Sequence, residues 1–461
     1  MTLIKSISGI RGTIGGSAGD ALTPIDLVKF TAAYARQLRL KFPDKERCKV
    51  VVGRDARISG TMLDGIVTGT LLACGIDVVN AGLASTPTTE MAVLFEQADG
   101  GIILTASHNP KHWNALKLLN ERGEFLTDAE GQALLRVAEA EDFVFEDIDR
   151  IGTLTRKDFT QAHIDAVKAY PLVDCEAIRE ARFKVVLDAI NSVGGICMPA
   201  LLEQLGVTCI TLNGKPDGHF AHNPEPLPAN LTDLSAAVVR EEAHLGISVD
   251  PDVDRLAFIC ENGVPFGEEY TLVSVADYIL SGRKGPAVSN ISSSRALRDV
   301  TEAHGCRYYS CKVGEVNAST MMREVGAVIG GEGNGGVIVP DLHYGRDALI
   351  GTALFLSNLA HKKLPVSALR ATYPDYSVSK NKIEMSDPAA IEAALDTVEA
   401  YFSGIPSISR LDGLRIDFED ERKWFVLRKS NTEPIIRIYA EAPTEAAADA
   451  LAGEVIRLIR Q

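Results

Sequence analysis

Short apolar runs rich in Val and Ile alternate along the chain with amphipathic segments of helical length, and one such block recurs three times. The first copy reads KVVVGRDARISG from Lys49, GIDVVNAG from Gly75 and GGIILTASHNP from Gly100. The second reads FKVVLDAINSVGG from Phe183, GVTCITLN from Gly206 and LGISVDPDVDR from Leu245. The third reads GPAVSNISSS from Gly285, GCRYYSCKVGE from Gly305 and GAVIGGEGNGG from Gly326. Each copy predicts a strand, a helix, a Gly-led strand, a second helix and a Gly-led strand that runs into a polar loop. Between them, TMLDGIVTGTLLAC has helical apolar spacing. Strands alternating with helices signal a mainly parallel sheet, and in such sheets ligands sit beyond the carboxyl ends of the strands. Three polar loops, one from each copy, are thus placed to surround one cleft.

Towards the C-terminus the pattern changes. GLRIDFED, KWFVLRKSNTEP and IIRIYAEAPT read as closely spaced strands, and EAAADALAGEVIRLIRQ as a closing helix. This is the pattern of a small α+β domain with antiparallel pairing. Polar stretches at Asp142–Arg156, Asn262–Tyr270 and Thr372–Lys382 divide the chain into modules 1–150, 151–262, 263–372 and 373–461. The expected fold is α/β: three topologically similar α/β domains with mainly parallel sheets, plus a smaller C-terminal α+β domain, around a central cleft.

Composition narrows the function. With 461 residues, 46% hydrophobic and 24% charged, the chain has the material for several cores and is not disordered. A net charge of −15 argues against a nucleic-acid partner, which needs a basic face. It leaves an anionic small molecule open, because a few placed arginines can dominate one cleft. The N-terminal MTLIKSISGIRG lacks the apolar region of a secretory signal, and no run approaches the ~18 apolar residues of a membrane span. The eight cysteines are scattered and none forms a CxxC pair, as expected of reduced thiols in a cytoplasmic protein. A monomer or small homo-oligomer is expected.

Four loops carry candidate chemistry. TASHNP (Thr105 to Pro110) follows a strand and exposes a serine; it reads either as a reactive loop or as an Asn-Pro turn with Ser107 as a helix N-cap. The GxSxG elbow of esterases is absent. DPDVDR (Asp250 to Arg255) sets three carboxylates at alternate positions. Acids so close repel unless a cation neutralises them, so a hard divalent ion is expected. An EF-hand is excluded because its sixth position is Arg255, not Gly, and LAFIC behind it is strand-like. GGEGNGG (Gly330 to Gly336) contains GxGxxG, but the strand-like VIVP that follows excludes a dinucleotide fingerprint. It reads as a loop bringing Glu332 and Asn334 to a small polar ligand, or as a plain turn. RKSNTEP (Arg428 to Pro434), with Arg437 beyond it, concentrates donors suited to a phosphate monoester. Arg11, Lys117, His108 and His343 carry little weight by themselves.

TASHNP, DPDVDR, the GE-x-[SN]-G loop and R-x-SNTEP, in this order, resemble the α-D-phosphohexomutase superfamily of phosphoglucomutases, phosphomannomutases and phosphoglucosamine mutases, over essentially the whole chain. The resemblance implies that Ser107 is a phosphoserine and that Ser107, Asp250, Asp252 and Asp254 hold one Mg²⁺. It implies that Arg255 steadies the phosphate, that Arg11 and Lys117 flank the transferred group and assist proton transfer, and that Glu332 and Asn334 read sugar hydroxyls. Arg428, Ser430, Asn431, Thr432 and Arg437 would clamp the phosphate that is not transferred. The implied reaction interconverts hexose 6-phosphate and hexose 1-phosphate through a hexose 1,6-bisphosphate, with glucosamine phosphate favoured over mannose or glucose. Two departures, Asn334 with Gly336 and the NALK around Lys117, bear on the sugar. Two other classes fit the same loops: a Mg²⁺-dependent sugar phosphatase using Asp250, and a non-catalytic sugar-phosphate sensor.

Overall fold

The computed structural model describes residues 2–6, 9–385, 387–429 and 435–460. All three copies of the repeat fold alike. In each, the first strand is central and pairs in parallel with the second on one side and the third on the other. Lys49–Arg54 lies between Asp77–Leu83 and Gly100–Leu104. Lys184–Asp188 lies between Thr208–Leu212 and Leu245–Val249. Ala287–Asn290 lies between Tyr308–Cys311 and Ile329–Glu332. In the first two copies an antiparallel strand, Trp113–Leu119 or Leu256–Cys260, returns beside the third. The C-terminal sheet is antiparallel throughout, in the order Ser377–Glu384, Ile435–Ala442, Lys423–Lys429, Leu414–Phe418, Ser407–Ser409. The fold is therefore three α/β domains with mostly parallel sheets and a C-terminal antiparallel domain.

The physical cause is the near-continuous apolar character of the central strands. Val50, Val51 and Val52 are all buried, as required of a strand covered on both faces. Side chains alternate across a strand, so Val50 and Val52 join one core with Ile102 and Leu104, while Val51 joins another with Ile103. Helices Pro24–Lys41 and Gly60–Ala73 complete the first core, and Thr86–Phe95 the second.

By its contacts the chain forms two compact units, Met1–Thr271 with Gly335–Ser367, and Leu272–Asn334 with Ala368–Gln461. The stretch expected as a third module is thus shared between them. The reason lies in the helix Ala348–Lys362, whose residues 348–360 are all buried. A helix apolar on every side must be enclosed. It packs on the helices Thr160–Ala169 and Cys175–Ala181 of the first unit, and Phe355 stacks on Phe258 with ring centroids 3.8 Å apart. In the second unit, helices Pro388–Tyr401 and Glu445–Arg460 cover one face of the antiparallel sheet. Strand Ser377–Glu384, helix Pro388–Tyr401 and strand Ser407–Ser409 were not expected from the pattern; the first is half-exposed and polar, so apolar alternation hardly marks it. All eight cysteines are free thiols. Among the described residues no helix is long and apolar enough to cross a membrane.

Candidate active site

Ser107 occupies the turn between strands Gly100–Leu104 and Trp113–Leu119, and no helix follows it, so the N-cap alternative falls. Its backbone is left-handed, φ +48°, a conformation non-glycine residues hold only where their surroundings impose it. Here the agent is Arg57, whose side chain is fully buried. Its Nη1 donates to the carbonyls of Pro110 and Trp113, each at 2.9 Å, and its Nη2 to Asn109 O at 2.7 Å and to Ser107 O. Its Nε donates to Asp55 Oδ2 at 3.0 Å, which also accepts from Thr105 Oγ1 at 2.7 Å. One planar guanidinium thereby fixes a whole loop. Ser107, expected from the sequence to be exposed, is instead buried against the acidic loop, and its hydroxyl donates to Asp250 Oδ2 at 2.6 Å.

The acidic loop leaves strand Leu245–Val249 and turns through Val253 at φ +63°, a genuine outlier for a β-branched residue. Asp250, Asp252 and Asp254 are completely buried. Most of their oxygens are partnered. Asp250 Oδ1 accepts from the backbone N–H of Asp254 at 3.2 Å and of Arg255 at 3.1 Å. Asp252 Oδ2 accepts from Lys117 Nζ at 2.7 Å and Thr86 Oγ1 at 2.6 Å. Asp254 Oδ2 accepts from Arg346 Nη2 at 2.6 Å. Asp252 Oδ1 and Asp254 Oδ1 are buried with no hydrogen-bond partner. One oxygen from each carboxylate lies within 4.8 Å of the others. Buried anionic oxygens without donors are costly, and a hard divalent cation takes such oxygen ligands. The residues fit the expected ion.

The electrostatics follow from this crowding. Burial, with Asp254 and Asp252 alongside, holds the Asp250 carboxyl well above the usual range. Burial pushes Asp252 the same way, but the Lys117 ammonium and the hydrogen bonds from Lys117 and Thr86 outweigh it and hold Asp252 low. Reciprocally, burial would lower Lys117, but Asp252 and Asp254 raise it. His108 is driven well below 6.5 by burial and by the cations Arg255 and Arg11, and its Nδ1 sits 3.3 Å from Ser107 Oγ. Arg11 Nη1 donates to Asn109 Oδ1 at 3.0 Å. Arg255 Nη1 bonds Glu225 Oε1 at 3.2 Å, while its buried Nε has no hydrogen-bond partner. Ser107, Lys117, Arg11, Arg255 and the three acids therefore all belong to the first unit.

Glu332, Asn334, Arg428 and Arg437 belong to the second unit. Glu332 Oε1 accepts from Asn290 Nδ2 and from the backbone N–H of Gly314, both at 3.0 Å, and its other oxygen lies 3.5 Å from Asn334 Nδ2. Arg428 and Arg437 stand directly opposite each other across neighbouring strands. Like charges in that position repel; Arg428 is held by Asp412 Oδ2 at 2.7 Å. Ser430, Asn431 and Thr432 lie outside the described residues. Sequence reasoning missed Asp55, Arg57, Thr86 and Arg346. The available signal for the first two was the charged GRDAR at the end of a repeat's first strand.

Four family models match in chain order: the phosphoglucomutase/phosphomannomutase α/β/α domain I at residues 3–145, domain II at 161–263, domain III at 267–376 and the C-terminal domain at 379–458. The chain belongs to the α-D-phosphohexomutase superfamily. A phosphoglucomutase/phosphomannomutase of Thermococcus kodakarensis is 38% identical over 95% of both chains. A probable phosphoglucosamine mutase of Methanopyrus kandleri is 32% identical over 98% of this chain and 97% of its own. Among solved structures, a phosphoglucomutase/phosphomannomutase family protein from Burkholderia thailandensis aligns with TM-score 0.83 and 26% identity, over 99% of this chain and 98% of that one. As a member of this family the chain is a phosphosugar mutase, an isomerase.

Proposed function

We propose that the chain interconverts hexose 6-phosphate and hexose 1-phosphate by way of a phosphorylated Ser107 and a hexose 1,6-bisphosphate, with glucosamine phosphate preferred. The observation that carries this reading is the Ser107 hydroxyl, 2.6 Å from Asp250 Oδ2, in a loop whose neighbouring acids keep two buried oxygens without partners. Ser107, Asp250, Asp252 and Asp254 would hold one Mg²⁺, which when bound neutralises charge on the transferred phosphoryl oxygens. In this reading the P–O bond to Ser107 breaks as one forms to a sugar hydroxyl, and the proton lost by that hydroxyl ends on the serine oxygen. Lys117, a buried ammonium held by Asp252, would with Arg11 beside the Ser107 loop assist the proton transfer, and the unused Nε–H of Arg255 would be available to a phosphoryl oxygen. The bisphosphate then turns end over end and returns its other phosphate to Ser107. Phosphoryl transfer asks a protein chiefly for such positioning and charge neutralisation.

In the second unit Glu332 and Asn334 would read sugar hydroxyls, and Arg428 with Arg437, together with Ser430, Asn431 and Thr432, would hold the phosphate not being transferred. Two guanidinium groups in direct register favour an anion between them. Nothing in this set singles out the C2 substituent, so discrimination among glucosamine, glucose and mannose should be modest. The name phosphoglucosamine mutase carried by relatives at about 32% identity supports the choice of glucosamine.

Peptide mass spectrometry of freshly purified protein should find phosphate on Ser107, and Ser107→Ala should abolish isomerisation while the protein stays folded. Steady release of inorganic phosphate without need of a bisphosphate activator would favour the phosphatase reading; binding without turnover would favour the sensor. For the sugar, kcat/KM is compared for the three 1-phosphates, each with its matched bisphosphate. An advantage of mannose or glucose above about a hundredfold, ~2.7 kcal/mol in transition-state binding, would make glucosamine the wrong choice.

A further inference from the structure

Behind the acidic loop lies a second buried polar cluster that the reaction outlined above does not use. Asp347 caps the helix Ala348–Lys362, its Oδ1 accepting from the N–H groups of Leu349 at 2.7 Å and Ile350 at 3.4 Å. Its Oδ2 receives two imidazoles, His163 Nε2 at 2.9 Å and His343 Nε2 at 3.2 Å. The outer nitrogen of His163 is 3.0 Å from Thr88 Oγ1, and that of His343 is 3.3 Å from Glu90 Oε2. The Gly345 N–H also approaches that outer nitrogen, at 3.1 Å. Burial would lower His343, but hydrogen bonds to Asp347 and Glu90 and the charge of both carboxylates push it up to about 10. All of these groups are buried.

The cluster grips one short turn, residues 343–347, and that turn carries Arg346 to Asp254 Oδ2 at 2.6 Å. The turn lies close against Glu90: a Cβ at Gly345 would stand 1.8 Å from Glu90 Oε2. The turn is also tied to the acidic loop by its backbone, Ala348 N–H donating to Val253 O at 3.2 Å. The helix Thr86–Phe95 serves both ends of the arrangement. Thr86 at its start bonds Asp252 Oδ2, and Glu90, one turn on, holds His343. Each of these two acids thus has its Oδ2 occupied by protein donors, leaving Oδ1 unpartnered.

We propose that Arg346 is a positioning residue that fixes the rotation of Asp254 so that Oδ1 faces the cation, and that His343, Asp347, His163 and Glu90 exist to hold Arg346 in that place. This rests on the cation reading of the acidic loop. Substitutions of groups that orient metal ligands typically cost 10- to 100-fold in metal affinity or activity. Removing the charge of Arg346 would itself favour a cation, so the informative variants keep that charge and disturb only its position.

The test is Mn²⁺ binding to the full-length protein without sugar, read from the free-ion EPR signal, with thermal melts run on each variant. Asp252→Asn in the wild-type background should weaken Mn²⁺ at least about tenfold; if it changes nothing, the ion is not at this loop, and both the cation reading and the present inference fail. Given that control, His343→Gln should weaken Mn²⁺ about tenfold, as should Arg346→Lys, and the double variant should lose no more than either single one, because both act through one route. Wild-type Mn²⁺ affinity in His343→Gln, or losses that multiply in the double variant, would overturn the inference while leaving the cation reading intact. Should His343→Gln fail to fold, Glu90→Gln, which removes one charge at constant shape, takes its place with the same expected tenfold loss.

Discussion

Asp252 has one oxygen clamped by Lys117 and Thr86 and the other buried without a partner. Asp252→Asn keeps the shape but offers an amide where a hard cation wants a charged oxygen, so half-saturating Mg²⁺ in the mutase assay should rise at least about tenfold. Unchanged metal dependence would speak against a cation at this position. Arg57 makes a different kind of contribution, because it touches only the chain. Replacing its fork with a lysine ammonium forfeits most of its bonds to the Ser107 loop. Arg57→Lys should lower kcat by about 10- to 100-fold with little change in KM, since a misplaced nucleophile costs rate more than binding. A fall confined to KM would show that the loop is held by something else. The serine and the acids were legible as types at a spacing. Arg57 was not, because one arginine in a sequence is ordinarily a surface charge and only burial reveals otherwise.

At the scale of elements, the repeat was readable because parallel strands buried on both faces leave unbroken Val and Ile runs. The helix Ala348–Lys362 was readable as apolar, but not as packing on helices and a strand of the second copy. Phe355 sits between Phe258 and Phe266 at its centre. Phe355→Ala should cost about 3–5 kcal/mol in urea unfolding, as expected for an enclosed aromatic; a loss below about 1 kcal/mol would mean that the site collapses around the gap. In the antiparallel sheet, the register of Arg428 opposite Arg437 makes a separable prediction. Arg428→Ala should raise KM for the phosphosugar by about tenfold or more, while Ser107 phosphate, read by mass spectrometry, and Mg²⁺ dependence stay as they were. Loss of metal dependence would put this strand in another role.

For the whole molecule, the buried charge network around His343 links stability to pH. The group titrates near 10 in the fold against 6.5 ordinarily. It faces Asp347 at the start of one helix, Glu90 on a second and His163 on a third. A value raised by folding contributes fully below pH 6.5 and is lost as pH climbs towards about 10. The melting temperature of the wild type should therefore fall over that interval, and fall less in His343→Gln, as followed by calorimetry at a series of pH values. Parallel curves for the two proteins would remove His343 from the linkage.

What the sequence determined by itself was everything that depends on neighbours along the chain: strand and helix periodicity, the threefold repeat, the serine loop and the alternate acids. Those features are local, and local sterics and burial periodicity write them directly into residue order. Tertiary structure decided which distant groups meet. It brought Arg57 beneath the serine loop, Thr86 and Lys117 onto Asp252, and Arg346 onto Asp254, pairings between 50 and 166 positions apart in the chain. Charges so far apart have no mutual signature in a single sequence, because their partnership is created only when packing removes the water between them.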